Sequence, residues 1–485
     1  MTQSKNDAFD AVIVGSGPNG LAAAIALAQQ GLSVHVLEAH DEIGGGTRTA
    51  ELTLPGFEHD VCSAVHTMGI LSPFFRTLEL ERHGLEWIRP GASIAHPLDD
   101  GPAVLHWRSL ERTCEGLGRD GKAYRAMVEP LLSNPHGFFA DVLGPLGIPR
   151  HPVLFARFGL FAPWPSTLLA RAVFREPRAR ALLAGCAAHS VLPLDKLFTS
   201  ALALMFLIAG HVEEWPVARG GSVAIGRALA GLLTELGGTI ETGARVRSLA
   251  DLPSARTFLF DTSPNQLAAI CEPVLPPGYV RRLRRYRYGP GACKLDWALD
   301  GPIPWRDPDC LEASTVHVGG TLEEIAASEA TMYSGRHAER PYLILCQQSQ
   351  FDAGRAPEGQ HTGYAYCHVP AGSDVDMTDA IEAQIERFAP GFRDRILARK
   401  MMRTDDFAQY NPNFVGGAIT GGVADIAQLF NRPVTRLDPY STPNPRVGIC
   451  SAATPPGGGV HGMGGYHAAQ SALKRLQQGA PTPLR

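Results

Sequence analysis

The sequence predicts an α/β fold, and three observations carry this prediction. The apolar run 12–14 ends at a glycine turn and is followed by an Ala-rich helical pattern. The run 447–450, near the other end of the chain, is again followed by a glycine-rich turn and a helical pattern. Between them, a glycine pair at 220–221 precedes a helical pattern and the alternating run 239–246. Strands that alternate with helices in this way form a parallel sheet with helices on its faces.

The first glycine turn has the pattern of a dinucleotide-binding site. Its residues are Gly15, Ser16, Gly17, Pro18, Asn19 and Gly20. The first glycine permits a tight turn, the second lets a pyrophosphate approach the backbone, and the third lets the helix pack closely on the strand. An Ala-rich helix is predicted directly after this turn, over LAAAIALAQQG, and its N-terminus directs free N–H groups at the phosphates. Pro18 and Asn19 of the turn are also predicted to bind the cofactor. Glu38 ends the next apolar run, where a ribose-binding carboxylate is expected, so the segment predicts a Rossmann-like dinucleotide site.

Composition and charge exclude several classes of protein. The chain has 485 residues with 44 Lys and Arg against 48 Asp and Glu, which argues against nucleic acid as the main partner, because phosphate binding needs a clustered basic surface. The basic run 281–287 is the exception, and it fits either a solvated helix face or a contact to anionic lipid or phosphate. The nine cysteines include no C-x-x-C pair, so neither a metal site nor a disulfide framework is predicted.

Targeting signals are not evident in the sequence. Residues 1–10 are polar and lack the apolar core of a secretory signal. The most lipid-like stretch, 199–210, is shorter than the roughly 20 residues that a helix needs to cross a bilayer. We therefore expect a cytoplasmic protein with reduced thiols, with peripheral membrane association as an alternative.

A second glycine cluster follows Glu38 directly. It contains Gly45, Gly46, Thr47 and Arg48 in the segment IGGGTRT. With this segment, the sequence resembles the flavoprotein amine oxidase and phytoene desaturase superfamily. The resemblance implies that FAD is the cofactor, and that Ala39 and the cluster run along its diphosphate and towards the flavin. Backbone N–H groups and an arginine suit phosphate oxygens there, where larger side chains would obstruct.

The resemblance continues at the other end of the chain. The segment 451–465 resembles the C-terminal flavin-binding signature of carotenoid desaturases and phytoene-dehydrogenase-like proteins, and it implies flavin contacts from Gly459, Val460 and Met463. By position, Val246 corresponds to the family's adenine contact, and Thr262 lies where the last core strand ends beside FAD. One departure is the run 451–453, which lacks the acidic residue that many flavoproteins have after this strand.

These motifs divide the chain into two interleaved units. Segments 1–95, 216–280 and 436–485 are predicted to form a discontinuous, Rossmann-like FAD-binding domain. Segments 96–215 and 281–435 are predicted to form an α+β substrate-binding domain with a mixed sheet and apolar helices. The segment from 411 to 433 looks typical of the phytoene-dehydrogenase-like branch, and the aromatic pair of typical amine oxidases is missing after the last glycine turn.

The resemblance implies an FAD-dependent oxidoreductase. Region 138–215 is rich in Phe, Trp and Leu, which fits either an ordinary helical core or a tunnel for a hydrophobic, isoprenoid-like substrate. The expected reaction is hydride transfer from this substrate to flavin N5 with formation of a C=C bond. The alternatives are a flavin-dependent isomerase, an amine or C–N oxidase of the same superfamily, or a flavin-bound scaffold with little turnover. The electron acceptor, oxygen or a quinone, stays open, as does the oligomeric state.

Candidate catalytic residues are few. His66 and His461 fall in segments expected near the flavin, and Glu213 or Glu214 precedes the central glycine pair. A structural or solvent-exposed role is the alternative for each, and the sequence assigns none of them as a catalytic base.

Overall fold

The computed structural model describes residues 9–478 of the chain. The sequence predicts no secretory signal in residues 1–10, and residues 1–8 of this segment lie outside the described residues. The strands of the described part are β1 (Phe9–Val14), β2 (Val34–Leu37), β3 (Thr49–Glu51), β4 (Glu58–Asp60), β5 (Trp87–Ile88), β6 (Ala92–His96), β7 (Val104–Trp107), β8 (Val217–Ala218), β9 (Thr239–Glu241), β10 (Ala255–Phe260), β11 (Gly291–Leu299), β12 (Ala313–Val318), β13 (Leu343–Cys346), β14 (His361–Val369), β15 (Ile396–Met402) and β16 (Val447–Ile449).

The α-helices connect these strands and form a separate apolar layer. They are α1 (Pro18–Ala28), α2 (Thr67–Ile70), α3 (Leu110–Gly116), α4 (Gly121–Val128), α5 (Pro135–Val142), α6 (Pro152–Gly159), α7 (Ser166–Val173), α8 (Pro177–Ala188), α9 (Thr199–Glu213), α10 (Val223–Glu235), α11 (Pro264–Cys271), α12 (Pro277–Arg284), α13 (Leu322–Tyr333), α14 (Thr378–Phe388), α15 (Thr404–Tyr410), α16 (Ile426–Leu429) and α17 (Met463–Gln477).

The first sheet has five parallel strands, in the order β16-β10-β1-β2-β9. Successive residues of β1 face opposite sides of this sheet. Ala11 and Ile13 pack in one apolar cluster with α1, whereas Val12 and Val14 pack in another with α11 and α12. Both faces are therefore covered, as expected for a parallel sheet, and the predicted α/β class is confirmed.

The second sheet is mixed and has seven strands, in the order β15-β11-β14-β13-β12-β6-β7. Its strands pair antiparallel except for β12 and β6, which are parallel. Strand β6 crosses the boundary predicted after residue 95, and all of it pairs within this larger sheet. The predicted mixed sheet is thus present.

The apolar region 138–215 folds into helices α5 to α9. Their buried side chains join the same large apolar cluster as α1, and within this layer α8 packs against β6 and β7, and α9 against β7, of the seven-stranded sheet. Helix α9 begins at Thr199, as its apolar run predicts, and ends at Glu213. No helix between residues 9 and 478 combines the length and the apolar character that crossing a bilayer would require.

The strand expected over 239–246 is shorter in the structure. It ends at Glu241 because Gly243 takes a left-handed conformation, φ +69°, and donates its N–H to His40 O at 2.9 Å. Ala244 N then donates to Glu38 O at 2.8 Å. The chain is therefore tied to the end of β2, and Val246 lies in a loop beside the predicted ribose-binding carboxylate.

Candidate cofactor and substrate site

The first glycine turn joins β1 to α1 through close backbone contacts. A Cβ on Gly20 would lie 2.0 Å from Gly15 O, and a Cβ on Gly15, where φ is +105°, would lie 2.9 Å from Asp261 O. Gly17 is the N-cap of α1, and Pro18 is its first residue. The turn therefore exists only with glycine at these positions, and it leaves the free N–H groups of α1 accessible to a phosphate.

Glu38 lies at the end of β2, and its carboxylate reaches back to this turn. Its Oε2 accepts hydrogen bonds from Ser16 N at 2.9 Å and from Ser16 Oγ at 2.5 Å. Its Oε1 accepts from His40 N at 2.9 Å and lies 3.4 Å from Arg48 Nη2. The buried carboxylate is thus held in one orientation at the place where a dinucleotide ribose is bound in this fold.

The second glycine cluster packs directly on the first turn. A Cβ on Gly45 would lie 2.9 Å from Gly17 Cα, so the two backbones touch. Thr47 Oγ1 donates to Gly44 O at 2.8 Å, which closes this segment on itself. Tyr410 donates its hydroxyl to Gly45 O at 2.7 Å and supports Arg48, whose guanidinium lies 5.3 Å from the ring centroid.

The C-terminal glycine turn brings a second helix N-terminus to the same place. Helix α17 follows Gly462, whose φ is +66°, and Gly465 in its first turn packs on α1, where a Cβ would lie 1.8 Å from Asn19 O. Gly465 N also donates to Asn19 Oδ1 at 3.3 Å. The positive ends of α1 and α17 therefore lie side by side, which favours a bound anion.

Asp261, which follows β10, completes the nucleotide end of the site. Its Oδ2 accepts the N–H of Gly20 at 2.9 Å. Burial raises the pKa of this carboxyl from 3.8 to about 7, against the lowering effect of the Gly20 hydrogen bond and with a further rise from Glu38. Asn413 holds this segment, because its Nδ2 donates to Asp261 O at 3.1 Å and its Oδ1 accepts from Ser263 N at 2.6 Å.

One cavity of about 1530 Å³ connects these elements, well above the roughly 300–1,000 Å³ of a typical ligand pocket. Gly20 and Thr47 do not line it and instead shape its wall. The predicted cofactor residues that line it are Gly15, Gly17, Pro18, Asn19, Glu38, Ala39, Gly45, Gly46, Arg48, Val246, Thr262, Gly459, Val460 and Met463.

The same cavity continues into a region that we call the apolar lobe, formed by His189, Met205, Phe206 and Trp215. These residues come from the end of α8, from α9 and from the segment after it, and all of them line the cavity. The His189 ring lies 4.6 Å from that of Phe206 and 5.5 Å from that of Trp215, between ring centroids. The end of the cavity that the glycine turns line and the end that the apolar lobe lines thus belong to one internal space.

Comparison with known proteins agrees with this architecture. Residues 13–79 match the family model of an NAD(P)-binding Rossmann-like domain. A rat pyridine nucleotide-disulfide oxidoreductase domain-containing protein is 27% identical, with 97% of this chain and 94% of the rat protein covered. Phytoene dehydrogenase of Streptomyces griseus is 27% identical over 80% of this chain and 77% of its own length. A triple mutant of putrescine oxidase superposes with a TM-score of 0.62 at 16% identity, covering 97% of this chain and 99% of that protein.

The fold is that of a flavin-dependent oxidase. The predicted Rossmann-like fold is thereby confirmed. The relatives and the structural neighbours also support the predicted FAD cofactor and the class of FAD-dependent oxidoreductase. Phytoene dehydrogenase is one of several relatives and a distant one, so the branch within this class is a separate question.

The site fits a flavin dinucleotide by its own geometry. The lack of side chains at Gly15, Gly20 and Gly45 lets the backbone segments of the site pack in direct contact. Gly15, Gly17 and Gly45 then line the cavity with backbone that a pyrophosphate can approach. Two helix N-termini supply N–H donors and a positive dipole end for its charge. Glu38 supplies acceptors for ribose hydroxyl groups.

The two candidate catalytic histidines both line the cavity. His66 is held on both sides, since its Nε2 lies 3.1 Å from Ser222 Oγ and its Nδ1 lies 3.3 Å from Ser63 Oγ. His461 accepts the N–H of Met463 on Nδ1 at 3.1 Å. Burial lowers the pKa of each histidine to about 4, so both are neutral at physiological pH.

The two glutamates near the central glycine pair lie away from the cavity. Glu213 pairs with Arg89 at 2.7 Å, and Glu214 follows the end of α9 with a φ of +61°. Burial raises the pKa of Glu214. Neither side chain borders the cavity, so the structure does not bring them to the histidines.

A buried charged cluster beside the cavity was missed in the sequence. Lys294 and Asp296 lie on the face of β11 opposite its apolar side chains, and Lys294 donates to Asp296. The Lys294 Nζ also lies 4.5 Å from the ring centroid of Tyr364, which lines the cavity. Both side chains are buried, with exposed fractions of 1% for Lys294 and 0% for Asp296.

A buried ion pair joins Asp60, at the end of β4, to Arg355. The distance from Arg355 Nη2 to Asp60 Oδ2 is 2.6 Å, and both side chains are 1% exposed. Burial alone would raise the pKa of Asp60, but Arg355 and the N–H of Ser222 hold it below its ordinary value. The pair closes the junction between β4 and the segment before β14.

Removing one partner of this buried pair should destabilise the protein strongly. We expect Arg355→Met to lower the free energy of unfolding by about 3–5 kcal/mol, because an uncompensated carboxylate stays buried. Chemical denaturation measures the change. The control is Arg171→Met, whose partner Glu323 is 59% exposed and whose loss should cost at most about 1 kcal/mol. Equal effects of the two substitutions would contradict the prediction.

Proposed function

We propose that the protein is an FAD-dependent oxidoreductase of the phytoene-dehydrogenase-like type that oxidises a hydrophobic substrate to form a C=C bond. The observation that carries the proposal is the single cavity, in which the glycine turns at one end continue into the apolar lobe at the other. An apolar substrate offers no polar handle, so its recognition needs such an enclosed aromatic surface. Streptomyces griseus phytoene dehydrogenase, similar over 80% of this chain, supports this reading.

The residues of this chain would hold and enclose the reactants. In this proposal Glu38 binds the ribose, the turns around Gly17, Gly45 and Gly459 bind the diphosphate and the flavin, and Val246 contacts the adenine. When bound, FAD supplies the hydride acceptor. The apolar lobe would exclude water and orient the substrate C–H bond towards the flavin.

We also propose the division into two interleaved units. The five parallel strands all fall within segments 1–95, 216–280 and 436–485, which supports a discontinuous FAD-binding unit. The seven-stranded sheet and helices α5 to α9 would then form the substrate-binding unit, with its first strand beginning at Ala92.

Amine oxidation is the second candidate, and the likeness to putrescine oxidase favours it. The charges around the cavity argue against it. In the described part of the chain the acidic side chains that line the cavity are Glu38, Asp141 and Asp261, and the first and third belong to the nucleotide end. Asp141 is occupied by the N–H groups of Arg150 and His151, both at 2.9 Å. An ammonium group would therefore find no carboxylate in the apolar lobe.

Anaerobic mixing with candidate substrates tests the proposal. The purified yellow protein should lose its flavin absorbance with an apolar extract and keep it with simple amines. Bleaching by amines alone would favour amine oxidation. Cis–trans conversion of the substrate with only catalytic amounts of reductant would favour an isomerase. A flavin that no extract reduces would favour the scaffold role and contradict the proposal.

Peripheral membrane contact is a further part of the proposal. Leu146 and Ile148 border the mouth of the cavity and are 55% and 96% exposed. Exposed apolar side chains around an opening of this kind are suited to insertion into a bilayer surface. A substrate dissolved in the membrane could then enter without crossing water.

Acidic residues at the mouth should weaken this contact. We expect the wild-type protein to float with liposomes at low salt, and Leu146→Asp combined with Ile148→Asp to reduce the bound fraction about tenfold or more, because each inserted aliphatic side chain contributes roughly 1.5–3 kcal/mol. The control is Leu437→Asp, at an exposed position outside the cavity lining. Failure of the wild type to float would contradict membrane contact and leave the oxidoreductase proposal standing.

A further inference from the structure

A pair of hydrogen-bonded histidines forms part of the wall of the apolar lobe. His189 lines the cavity, and its Nε2 lies 2.9 Å from the Nε2 of His317, a buried residue of β12. Neither residue belongs to the motifs found in the sequence. A polar group in an otherwise aromatic wall can select among hydrophobic ligands.

Both imidazoles are neutral. Burial lowers the pKa of His189 to about 3, with a smaller effect from His368. Burial also lowers the pKa of His317 well below its ordinary value, and His189, His96 and His106 lower it further. Two neutral rings that share one hydrogen bond must divide the roles, so that one Nε2 donates and the other accepts.

The surroundings of His317 decide which ring donates. Its Nδ1 is buried and has no hydrogen-bond partner within residues 9–478. Gly185 packs against this nitrogen so closely that a Cβ would lie 2.5 Å from it, which directs a Cα–H of Gly185 at Nδ1. An N–H there would be an unpaired buried donor facing another hydrogen, whereas a bare nitrogen can accept a weak Cα–H contact. His317 therefore carries its proton on Nε2 and donates it to His189.

The tautomer of His189 follows from that of His317. Because its Nε2 accepts, its own proton resides on Nδ1. In the described structure this nitrogen has no protein partner, and the ring borders the cavity between Phe206 and Trp215. The lobe thus presents one N–H donor to whatever it binds.

We propose that the apolar lobe binds a hydrophobic molecule carrying an uncharged acceptor oxygen, a carbonyl or a hydroxyl, on the Nδ1–H of His189. This inference rests on the proposed function, since it defines the substrate class for the same cavity. A carboxylate is not expected, because both imidazoles are neutral and a buried anion needs a charged partner.

Equilibrium binding of two matched probes tests the inference. The probes are methyl nonyl ketone and the alkene in which a methylene group replaces its oxygen, and binding to the holoenzyme is followed by tryptophan fluorescence. We expect the wild type to bind the ketone about tenfold more tightly, the ratio that one hydrogen bond of this kind supports. His189→Phe should remove the preference, and His189→Gln, which keeps an N–H donor, should retain most of it.

The matched control is Phe206→Leu, which trims the same wall without changing a polar group. This variant should weaken the binding of both probes to the same extent and leave the ratio of their affinities unchanged. Nitrogen NMR of the wild-type protein labelled at histidine gives a second measurement, in which His189 should carry its proton on Nδ1.

Three results would overturn the inference. If the two probes bind equally, or if His189 is protonated on Nε2, the proposed Nδ1–H donor is absent. Neither result contradicts the apolar cavity or the proposed oxidoreductase function. If neither probe binds, both the inference about His189 and the proposal of a hydrophobic substrate are contradicted. The two failures are therefore distinguishable.

Discussion

Replacing Gly20 with alanine should release the flavin from the protein. A Cβ at this position would lie 2.0 Å from Gly15 O, a contact between backbone groups that no side-chain rotation can relieve. Helix α1 would have to move away from β1, and the turn that supplies N–H groups to the diphosphate would open. We expect flavin retention to fall by at least about a hundredfold, measured as visible absorbance per purified chain.

Gly116→Ala is the matched control for this substitution. Gly116 ends α3, and nothing lies within 4 Å of the Cβ that an alanine would add. This variant should purify with as much flavin as the wild type. If Gly20→Ala does not fold, Gly17→Ala gives a second readout, since its Cβ would meet a side-chain atom, Asp261 Oδ2 at 2.6 Å, which can move. Full flavin retention in both turn variants would contradict the assignment of this turn.

The affinity for FAD should fall as the pH rises above about 7. Burial raises the pKa of Asp261 to about 7, and the carboxyl lies against the turn that binds the diphosphate. Below this pH the group is protonated and uncharged, so it does not oppose the phosphates. Above it, the carboxylate must take up a proton when the anion binds. Affinity should therefore decrease by up to about tenfold per pH unit.

Asp261→Asn tests this effect because it keeps the shape and removes the titration. The variant should bind FAD with little pH dependence between pH 6 and pH 9, roughly the range of the expected effect, and more tightly than the wild type at the upper end. Titration of the apoprotein with FAD at several pH values measures both. Asp300→Asn, at a position 45% exposed and paired with Arg395, should behave as the wild type does. If the FAD affinity of Asp261→Asn falls with pH as steeply as that of the wild type, a group other than Asp261 causes the pH dependence.

The parts of the site that could be predicted are those encoded locally. The turn around Gly17, the acid at the end of β2 and the turn before α17 each need particular residues at short spacings, so their physical requirements are visible in the sequence. The length of β9 was misjudged because the alternating run through Val246 does not reveal that Gly243 turns the chain.

The parts that could not be predicted depend on contacts between distant segments. Tyr410 and Gly45 are 365 positions apart in the chain, and His317 and His189 are 128 apart, so neither contact is visible in a local pattern. Lys294 and Asp296 alternate with apolar residues, as the solvated face of a strand does. Their burial follows from what covers the other side of β11, and no pattern within the strand contains that information.

The order of strands in the parallel sheet also constrains when the protein can acquire its cofactor. Strand β1 pairs with β10, and β10 pairs with β16, whose residues are synthesised more than four hundred positions after β1. Helix α1 likewise packs against Gly465 of α17, which contacts Asn19 and is synthesised near the end of the sequence. A nascent chain therefore cannot form a complete binding site before β16 and the first turn of α17 have been synthesised. Until then the edge of β10 that pairs with β16 is unpaired, and an unpaired strand edge is a template for misassembly.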